Sequence, residues 1–306
     1  MTKYKFGIVV LHYKTVRETI DCVDSILKLD SSDEAITLIV DNASNDNSPE
    51  IIKSRFANNV NVRYYQNKEN LGFSRANNKA FELLKKEYDV DYVIFLNNDT
   101  VINQKDFLIK IEEISKRDNY SILGPDVFAP KLKIHQNPLY LTIPTIKSLE
   151  SEMSKKKAQI ENIEVSEKEY IRNSKKILIK SKLPYFISVI MALVSKKKRK
   201  AFFAYKNAVE NPVLMGACII LCPEYVSRFN TVFSPETKFY FEELILAKRC
   251  ESLNLKTLYT PELKIIHYHG VSTRNSMRDI RQYISSVNSL TIEGYGIYKK
   301  NFYKDE

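Results

Sequence analysis

The sequence predicts an α/β fold, with a doubly wound, mostly parallel sheet that carries helices on both faces and a helical, basic insertion. Three observations support this prediction. Short apolar runs alternate with longer amphipathic runs up to about residue 130, the alternation resumes after residue 211, and the segment between is rich in Lys, Glu and Ser. Connections of helical length between apolar runs are typical of parallel strands covered on both faces.

The predicted elements follow in chain order. Apolar runs of strand length lie at Phe6–Leu11, Ile36–Val40, Val60–Tyr65, Tyr92–Leu96 and Ile122–Val127. Amphipathic runs of helical length lie between them, at Thr15–Leu29, Ser48–Phe56, Ser74–Lys86 and Gln104–Arg117. After residue 211 we expect a buried strand at Val213–Leu221, a helix over Phe241–Leu253 and a strand at Lys264–His269. Ligands of such sheets bind at the carboxyl ends of the strands, so the polar residues there matter most for function.

Two clusters of short polar side chains directly follow predicted strands. Asp41–Ser48 follows the second strand, and Asn97–Thr100 follows the fourth. Either cluster alone is compatible with a turn that caps the next helix. Because both clusters lie at the same edge of one sheet, together they favour a ligand site.

Composition excludes several classes of function. The 306-residue chain carries 47 Lys+Arg and 37 Asp+Glu, and residues 147–206 alone hold 16 basic and 6 acidic residues. Since the rest of the chain is neutral, we predict no nucleic-acid partner. The 7 glycines form neither a dinucleotide-binding nor a P-loop motif. Cys22, Cys218, Cys222 and Cys250 have no C-x-x-C spacing, so we expect reduced, buried thiols.

The basic segment 147–206 interrupts the α/β pattern. Its first half predicts exposed helices, and the 12 uncharged residues Leu183–Val194 are followed by five cations at Lys196–Lys200. Twelve residues are too few to cross a bilayer core of ~30 Å, which takes about 20. We therefore expect an interfacial helix that binds a membrane surface through 183–200. The alternative is a helix that packs on the protein's own core or on a second subunit, as in a homodimer.

The N-terminus does not have the pattern of a signal peptide, because its apolar run is short and is not followed by a small-residue cleavage site. We therefore expect a cytoplasmic protein. Attachment through 183–200 would place it peripherally on the inner face of the plasma membrane.

Several motifs occur here in the order found in one known family. The sequence resembles the family 2 inverting glycosyltransferases of the GT-A fold, in particular their bacterial rhamnosyltransferase-like members. The similar stretches are Ile39–Ser48, Asn70–Asn78, Phe95–Thr100, Gly216–Cys218, Tyr240–Glu243 and His267–His269. The resemblance covers roughly residues 1–130 and 211–275.

The resemblance implies a division of the chain into functional parts. Residues 1–130 would form the nucleotide-sugar-binding half of a GT-A domain, and 211–275 its acceptor and catalytic half. Residues 131–210 would be the helical basic insertion, and 276–306 a C-terminal helical tail.

The same resemblance implies a donor and an acceptor. The donor would be a dTDP- or UDP-sugar, with dTDP-rhamnose or a UDP-hexose as the best guess. The acceptor would be a glycan or a lipid-linked glycan of bacterial surface polysaccharide synthesis. Asp41 would accept a hydrogen bond from the pyrimidine ring N–H, and Arg75 would reach the diphosphate. The implied donor-binding residues are Asp41, Asn42, Gly72, Arg75, Asn78 and Asn98.

A divalent cation would neutralise the leaving diphosphate, and oxygen ligands suit Mn²⁺ or Mg²⁺. The resemblance assigns Asp99 to this cation, with His267 or His269 as further ligands. Asn97 stands where the family motif has its first aspartate, so one carboxylate remains.

The resemblance also assigns the base that takes the proton of the acceptor hydroxyl. This base is Glu243, at the position of an aspartate in the family, and Glu242 is the alternative. The two departures, Asn97 and Glu243, keep open a second hypothesis, a catalytically inactive GT-A-like scaffold subunit at a membrane. A third hypothesis is a binding protein for acidic partners that uses the lysines of 147–206.

Overall fold

A computed structural model describes residues 2–182, 204–268 and 279–303 and confirms the predicted α/β fold. Its strands are β1 Thr2–His12, β2 Ala35–Asp41, β3 Val62–Gln66, β4 Tyr88–Asn97, β5 Thr100–Val101, β6 Ile122–Ala129, β7 Ile134–His135, β8 Val209–Glu210, β9 Cys218–Leu221 and β10 Thr257–His267. Its helices are α1 Val16–Ile26, α2 Ser48–Phe56, α3 Gly72–Glu87, α4 Phe107–Asp118, α5 Ile146–Glu161, α6 Ile163–Lys182, α7 Pro223–Arg228, α8 Glu242–Ser252 and α9 Ile280–Phe302.

These strands form one mixed sheet in the order β3-β2-β1-β4-β9-β6-β10-β5, with β7 paired to β6 and β8 to β10. Parallel pairing joins β3 to β2, β2 to β1, β1 to β4, and β6 to β10. Strand β9 runs antiparallel between β4 and β6. The carboxyl ends of β1, β2, β4, β6 and β10 therefore lie at the same edge of the sheet.

Two apolar layers cover the faces of the sheet, which explains why the central strands have continuous apolar runs. Alternate residues of a strand face opposite layers: Ile8 packs in one, with α1, α2 and α4, and Val9 in the other, with α3, α7 and α8. All four cysteines are free and buried, as predicted.

The second half of the sheet differs in detail from the prediction. The predicted strand Val213–Leu221 is a strand only from Cys218, because a turn in which Cys218 N–H donates to the carbonyl of Met215 precedes it, and Val213 forms an isolated bridge with Tyr140. Strand β10 begins earlier than predicted, at Thr257, and its register with β6 shifts between Thr260 and Lys264. Pro261 lies in this shift, where its missing N–H breaks the hydrogen-bond ladder.

The first half of the basic segment forms two largely exposed helices, α5 and α6, as predicted. The C-terminal helix α9 packs along both of them, and Arg281 forms an ion pair with Glu167 at 2.8 Å. Helices α5, α8 and α9 enclose a third apolar cluster.

The predictions for Leu183–Val194 and Lys196–Lys200 lie outside the described residues. Among the helices that are described, none combines the length and the apolar character needed to cross a membrane.

Candidate active site

Four strands end in polar residues at the carboxyl edge of the sheet. His12 ends β1, Asp41 ends β2, Asn97 ends β4 and His267 ends β10. The register places His12 beside Asp41, and Asn97 beside Leu11 on the other side of β1. The sheet therefore gathers the polar residues that the sequence placed after separate strands.

Asp41 is completely buried, and its carboxylate is held on both oxygens. Tyr64 donates its hydroxyl to Oδ2 at 2.6 Å, and the backbone N–H of Ser44 donates to Oδ1 at 2.9 Å. Burial, together with the hydrogen bond to Asp41, raises the pKa of Tyr64, so its phenol remains a donor. A carboxylate can accept about four hydrogen bonds, so Asp41 retains acceptor capacity beyond these two.

The side chain of Asn42 connects β2 to the loop before α3. Its Nδ2 donates to Oδ1 of Asn70 at 2.9 Å and to the carbonyl of Gly72 at 3.1 Å, and its Oδ1 accepts from Leu71 N–H at 2.9 Å. Gly72 has φ +74°, and a Cβ there would lie 2.8 Å from the carbonyl oxygen of Lys238. Only glycine fits this close approach, so Asn42 and Gly72 shape the loop at the sheet edge.

The polar residues at the start of α3 reach a distant segment, residues 232–238, which we call the pre-helix loop because it precedes α8. Asn78 donates to the carbonyl of Phe233 at 2.7 Å and accepts from Val232 N–H at 2.9 Å and Phe233 N–H at 3.0 Å. Arg75 Nε donates to the carbonyl of Pro235 at 2.8 Å. The structure therefore shows both side chains holding this loop against α3.

Asn98 and His12 form a buried polar network with α1. Asn98 Nδ2 donates to Thr15 Oγ1 at 2.5 Å and to Thr19 Oγ1 at 2.9 Å. His12 lies between Thr19 Oγ1 at 2.7 Å and Ser48 Oγ at 2.8 Å, and burial lowers its pKa. His12 is absent from the sequence-predicted site, although it directly follows the first predicted strand and could have been found by the same criterion as Asp41.

Asp99 and His267, two of the predicted metal ligands, contact each other at this edge. His267 Nε2 lies 3.1 Å from Asp99 Oδ1, its Nδ1 lies 2.8 Å from Gln136 Oε1, and both Asp99 and His267 are buried. Gln136 lies in a short stretch, His135–Pro138, that also resembles the family, although no role was predicted for it. His269 lies outside the described residues, within which no group of three or more His, Cys, Asp or Glu side chains could hold a metal ion.

The Asp99 and His267 side chains are suitable ligands for a small divalent cation. The amide oxygen of Gln136 can only accept a hydrogen bond, so it faces Nδ1–H, and the other ring nitrogen, Nε2, faces the Asp99 carboxylate. A proton on Nε2 or a shared cation would satisfy both atoms. One carboxylate and one imidazole are ligands that suit Mn²⁺.

Glu242 and Glu243 open α8 and lie side by side in a poorly solvated environment. Burial raises the pKa of both carboxyl groups, and the charge of Glu243 raises that of Glu242 further. Glu243 Oε1 accepts the backbone N–H of Gly216 at 3.3 Å, whereas Glu242 Oε2 has no hydrogen-bond partner among the described atoms. A carboxyl group of raised pKa is suited to exchange a proton near neutral pH.

The sheet register brings Glu243 to the edge that holds Asp99. Leu96 pairs with Cys218, and Asn97 N–H donates to the carbonyl of Ala217 at 3.0 Å. Gly216, which Glu243 contacts, lies two residues before Cys218, in the turn that leads into β9. Glu243 is therefore held beside the segment that enters the sheet at the carboxyl end of β4.

Comparison with known proteins gives one match to a family model. The model described as glycosyl transferase family 2 matches residues 8–194. No curated protein matches the sequence.

Solved structures also show similarity to this chain. TarS 1-349 from S. aureus is 23% identical over 41% of this chain and 36% of its own, with a TM-score of 0.36. The matched region therefore spans about a third of that chain. The mannosyltransferase PcManGT from Pyrobaculum calidifontis, solved with GDP-Man and Mn²⁺, is 11% identical over 98% of this chain and 75% of its own, with a TM-score of 0.54. At this identity, the similarity to PcManGT shows a shared fold.

Proposed function

The chain belongs to glycosyl transferase family 2, and we propose that it transfers a sugar from a nucleotide-sugar donor to an acceptor hydroxyl with inversion at the anomeric carbon. One observation carries this proposal. Asp41 and the Asp99–His267 pair lie at the carboxyl ends of β2, β4 and β10, and Glu243, from a distant part of the sequence, contacts Gly216 just before β9 enters the sheet at that edge. A donor-binding group, a diphosphate-binding group and a base are what a single-displacement transfer requires.

Asp41 is the proposed contact for the nucleotide base. Its carboxylate is fixed by Tyr64 and Ser44 and retains acceptor capacity, so it suits the ring N–H of uracil or thymine. Cytosine has no N–H at that ring position. We therefore propose a UDP- or dTDP-sugar as donor, with dTDP-rhamnose favoured by the resemblance of the motifs.

We propose that the donor contacts backbone whose conformation is set by Asn42, Gly72 and Asn98. The side-chain amide of Asn42 holds the 70–72 loop, and that of Asn98 holds Thr15 and Thr19. Arg75 and Asn78 hold the pre-helix loop in the same way. For Arg75, which is largely exposed, a second role at the diphosphate remains part of the proposal.

Asp99 and His267 are the proposed ligands of a divalent cation, with Gln136 fixing the ring of His267. Such a cation would stabilise the negative charge that develops on the leaving diphosphate. Since only two protein ligands are described, oxygens of the donor diphosphate would complete the shell. Binding of metal and donor should therefore strengthen each other.

Glu243 is the proposed base. Glu243 takes the proton of the acceptor hydroxyl while the acceptor oxygen bonds to the anomeric carbon, on the face opposite the diphosphate. The bond between the anomeric carbon and the diphosphate oxygen breaks, and its electron pair leaves with that oxygen. The N–H of Gly216 holds the carboxylate in place, and limited solvation raises its pKa toward the working range of a base. Glu242 is the alternative base.

We propose a glycan or lipid-linked glycan as acceptor and reversible attachment to a membrane surface through 183–200. The composition of this segment supports attachment, because apolar and cationic residues are adjacent there.

The test is a donor panel. Purified protein is incubated with UDP-glucose, UDP-GlcNAc, dTDP-rhamnose or GDP-mannose, with Mn²⁺ or Mg²⁺, and release of nucleoside diphosphate is measured. We expect release from a uridine or thymidine donor, and its loss in Glu243→Gln. Absence of release from every donor would favour the scaffold hypothesis, and equal release from GDP-mannose would contradict the proposed uridine or thymidine donor.

A further inference from the structure

Helix α8 begins after two consecutive residues in a rare backbone conformation. Tyr240 has φ 68° and Phe241 has φ 70°, both in the left-handed region. Each non-glycine residue there costs roughly 1–2 kcal/mol, and bulky side chains are uncommon in this region. Such a conformation persists only where the surrounding structure enforces it, and it often occurs at functional sites. Glu242 and Glu243 follow this pair directly.

Helix α9 packs against the backbone of Tyr240 and Phe241. A Cβ on Gly294 would lie 2.8 Å from Cβ of Phe241 and 2.9 Å from the carbonyl oxygen of Tyr240. The backbone of α9 therefore lies directly against the backbone of the pair. The ring of Phe241 also packs edge-to-face on Tyr295 and Tyr298, with centroid distances of 5.9 and 5.8 Å.

Helix α9 is itself fixed to the helical insertion. Asn288 Nδ2 donates to Gln159 Oε1 at 3.0 Å, and Lys299 Nζ donates to Glu150 Oε1 at 3.2 Å. The side chain of Tyr298 is fully buried in the cluster formed by α5, α8 and α9. These contacts hold the middle and the C-terminal part of α9 against α5, and Gly294 lies between them.

We infer that α9 is a positioning element of the active site, in which Gly294 lets the helix backbone hold Tyr240 and Phe241 in the left-handed conformation that directs Glu242 and Glu243 to the sheet edge. This inference rests on the proposed function, in which Glu243 accepts the proton of the acceptor hydroxyl. Displacement of the pair would shift the first turn of α8 and the contact of Glu243 with Gly216. A misplacement of about 1 Å in reacting groups can cost about 10²-fold in rate.

The chain offers a matched pair of variants for the test. Gly294→Ala places a methyl group against the pair, whereas Gly296→Ala, in the same helix, meets no atom within 4 Å. Both changes raise helix propensity to a similar extent. The two proteins should therefore differ only in the contact with Tyr240 and Phe241. Tyr295→Ala is a third variant, which removes one ring from Phe241 without introducing a clash.

The full-length variants are compared by nucleoside diphosphate release from the donor that the parent protein uses, by melting temperature, and by hydrogen–deuterium exchange of the segment 240–247. We expect Gly294→Ala to lower kcat by about 10- to 100-fold, with donor KM within about twofold of the parent. Exchange in 240–247 should increase in this variant. Gly296→Ala should match the parent in every measurement, and Tyr295→Ala should show a smaller loss of kcat.

A folded Gly294→Ala protein with the kcat and the exchange of Gly296→Ala would overturn the inference. If Gly294→Ala does not fold, unchanged kcat and exchange in Tyr295→Ala would overturn it. If the parent protein releases nucleoside diphosphate and Glu243→Gln abolishes the release, but Gly294→Ala has no effect, only the role of α9 is contradicted. A parent without release from any donor would contradict the proposed function, and the inference with it.

Discussion

Asn78→Ala should destabilise the protein and slow transfer without weakening donor binding. The side chain makes three hydrogen bonds to the backbone of the pre-helix loop, at 2.7, 2.9 and 3.0 Å. Each contributes about 1 kcal/mol net, so the free energy of unfolding should fall by about 2–3 kcal/mol. For a chain of 306 residues, with an unfolding entropy of about 2.1 cal/mol/K per residue, the melting temperature should fall by roughly 3–5 °C.

The neighbouring residue supplies the control for this change. Asn77 lies in the same helix, and its Nδ2 donates to the carbonyl of Phe73 within that helix at 3.0 Å. Asn77→Ala should therefore lower stability by about 1 kcal/mol and leave kcat unchanged. Asn78→Asp keeps the two accepted bonds, loses the donated one, and should fall between parent and Asn78→Ala.

Calorimetry of the three variants, with donor affinity and kcat measured on the same samples, separates two roles for Asn78. Loss of stability and kcat with unchanged donor affinity supports its role in holding the pre-helix loop. Loss of donor affinity with unchanged stability would refute this reasoning and favour direct donor binding, as the sequence resemblance implied.

Four further predictions concern the acidic groups and the basic segment. Glu243→Gln nearly preserves volume but removes the proton acceptor, so kcat should fall 10²- to 10⁴-fold with donor affinity little changed, and a dead Glu242→Gln instead would move the base to the neighbouring residue. Asp99→Ala should abolish transfer and weaken Mn²⁺ binding, measured by calorimetry, and full turnover by this variant in excess EDTA would contradict the metal role. Burial raises the pKa of Glu242 in the folded protein above its value in the unfolded chain. The protonated carboxyl group therefore stabilises the fold fully below the unfolded pKa, and this stabilisation is lost as the pH rises through the folded pKa. The melting temperature of Glu242→Gln should exceed that of the parent from about pH 5 upward, by a margin that grows with pH, and a constant difference would contradict this. Vesicles containing phosphatidylglycerol should co-sediment the protein at low salt, and high salt or replacement of Lys196–Lys200 by Ser should release it, because the charges are screened over about 8 Å at physiological ionic strength; equal binding to neutral vesicles would favour packing of this segment on protein.

The sequence predicted the strands of the first half of the chain well, because their burial on both faces requires continuous apolar runs such as Ile36–Val40. Strand β2 is buried at every one of its 7 residues. The polar edge was also predictable, since a buried strand that ends in Asp41 or Asn97 changes character abruptly at the sheet edge. His12 satisfies the same rule but was not singled out.

The partners of the polar side chains could not be predicted from the sequence. Asn78 contacts Phe233, 155 positions later, and His267 contacts Asp99, 168 positions earlier. A local motif indicates that an asparagine matters, but not whether its amide meets a ligand or a distant loop. The left-handed pair at Tyr240 and Phe241 had no local signal either, because it is enforced by Gly294, which follows more than fifty residues later.

The segments on either side of the base carboxylates have separate anchors, Asn78 and Gly294, which the proposal does not place in contact with the donor. On one side, α3 fixes the pre-helix loop through Asn78, and on the other, α9 fixes the start of α8 through Gly294. Asp41, the proposed contact for the nucleotide base of the donor, lies on β2, and β1 separates β2 from β4. Because the anchors of the base and the contacts of the donor use different side chains, a change at either anchor should reduce turnover while the donor still binds. Separation of kcat from donor KM is therefore the expected signature of this architecture, and it distinguishes a misplaced base from a damaged donor site.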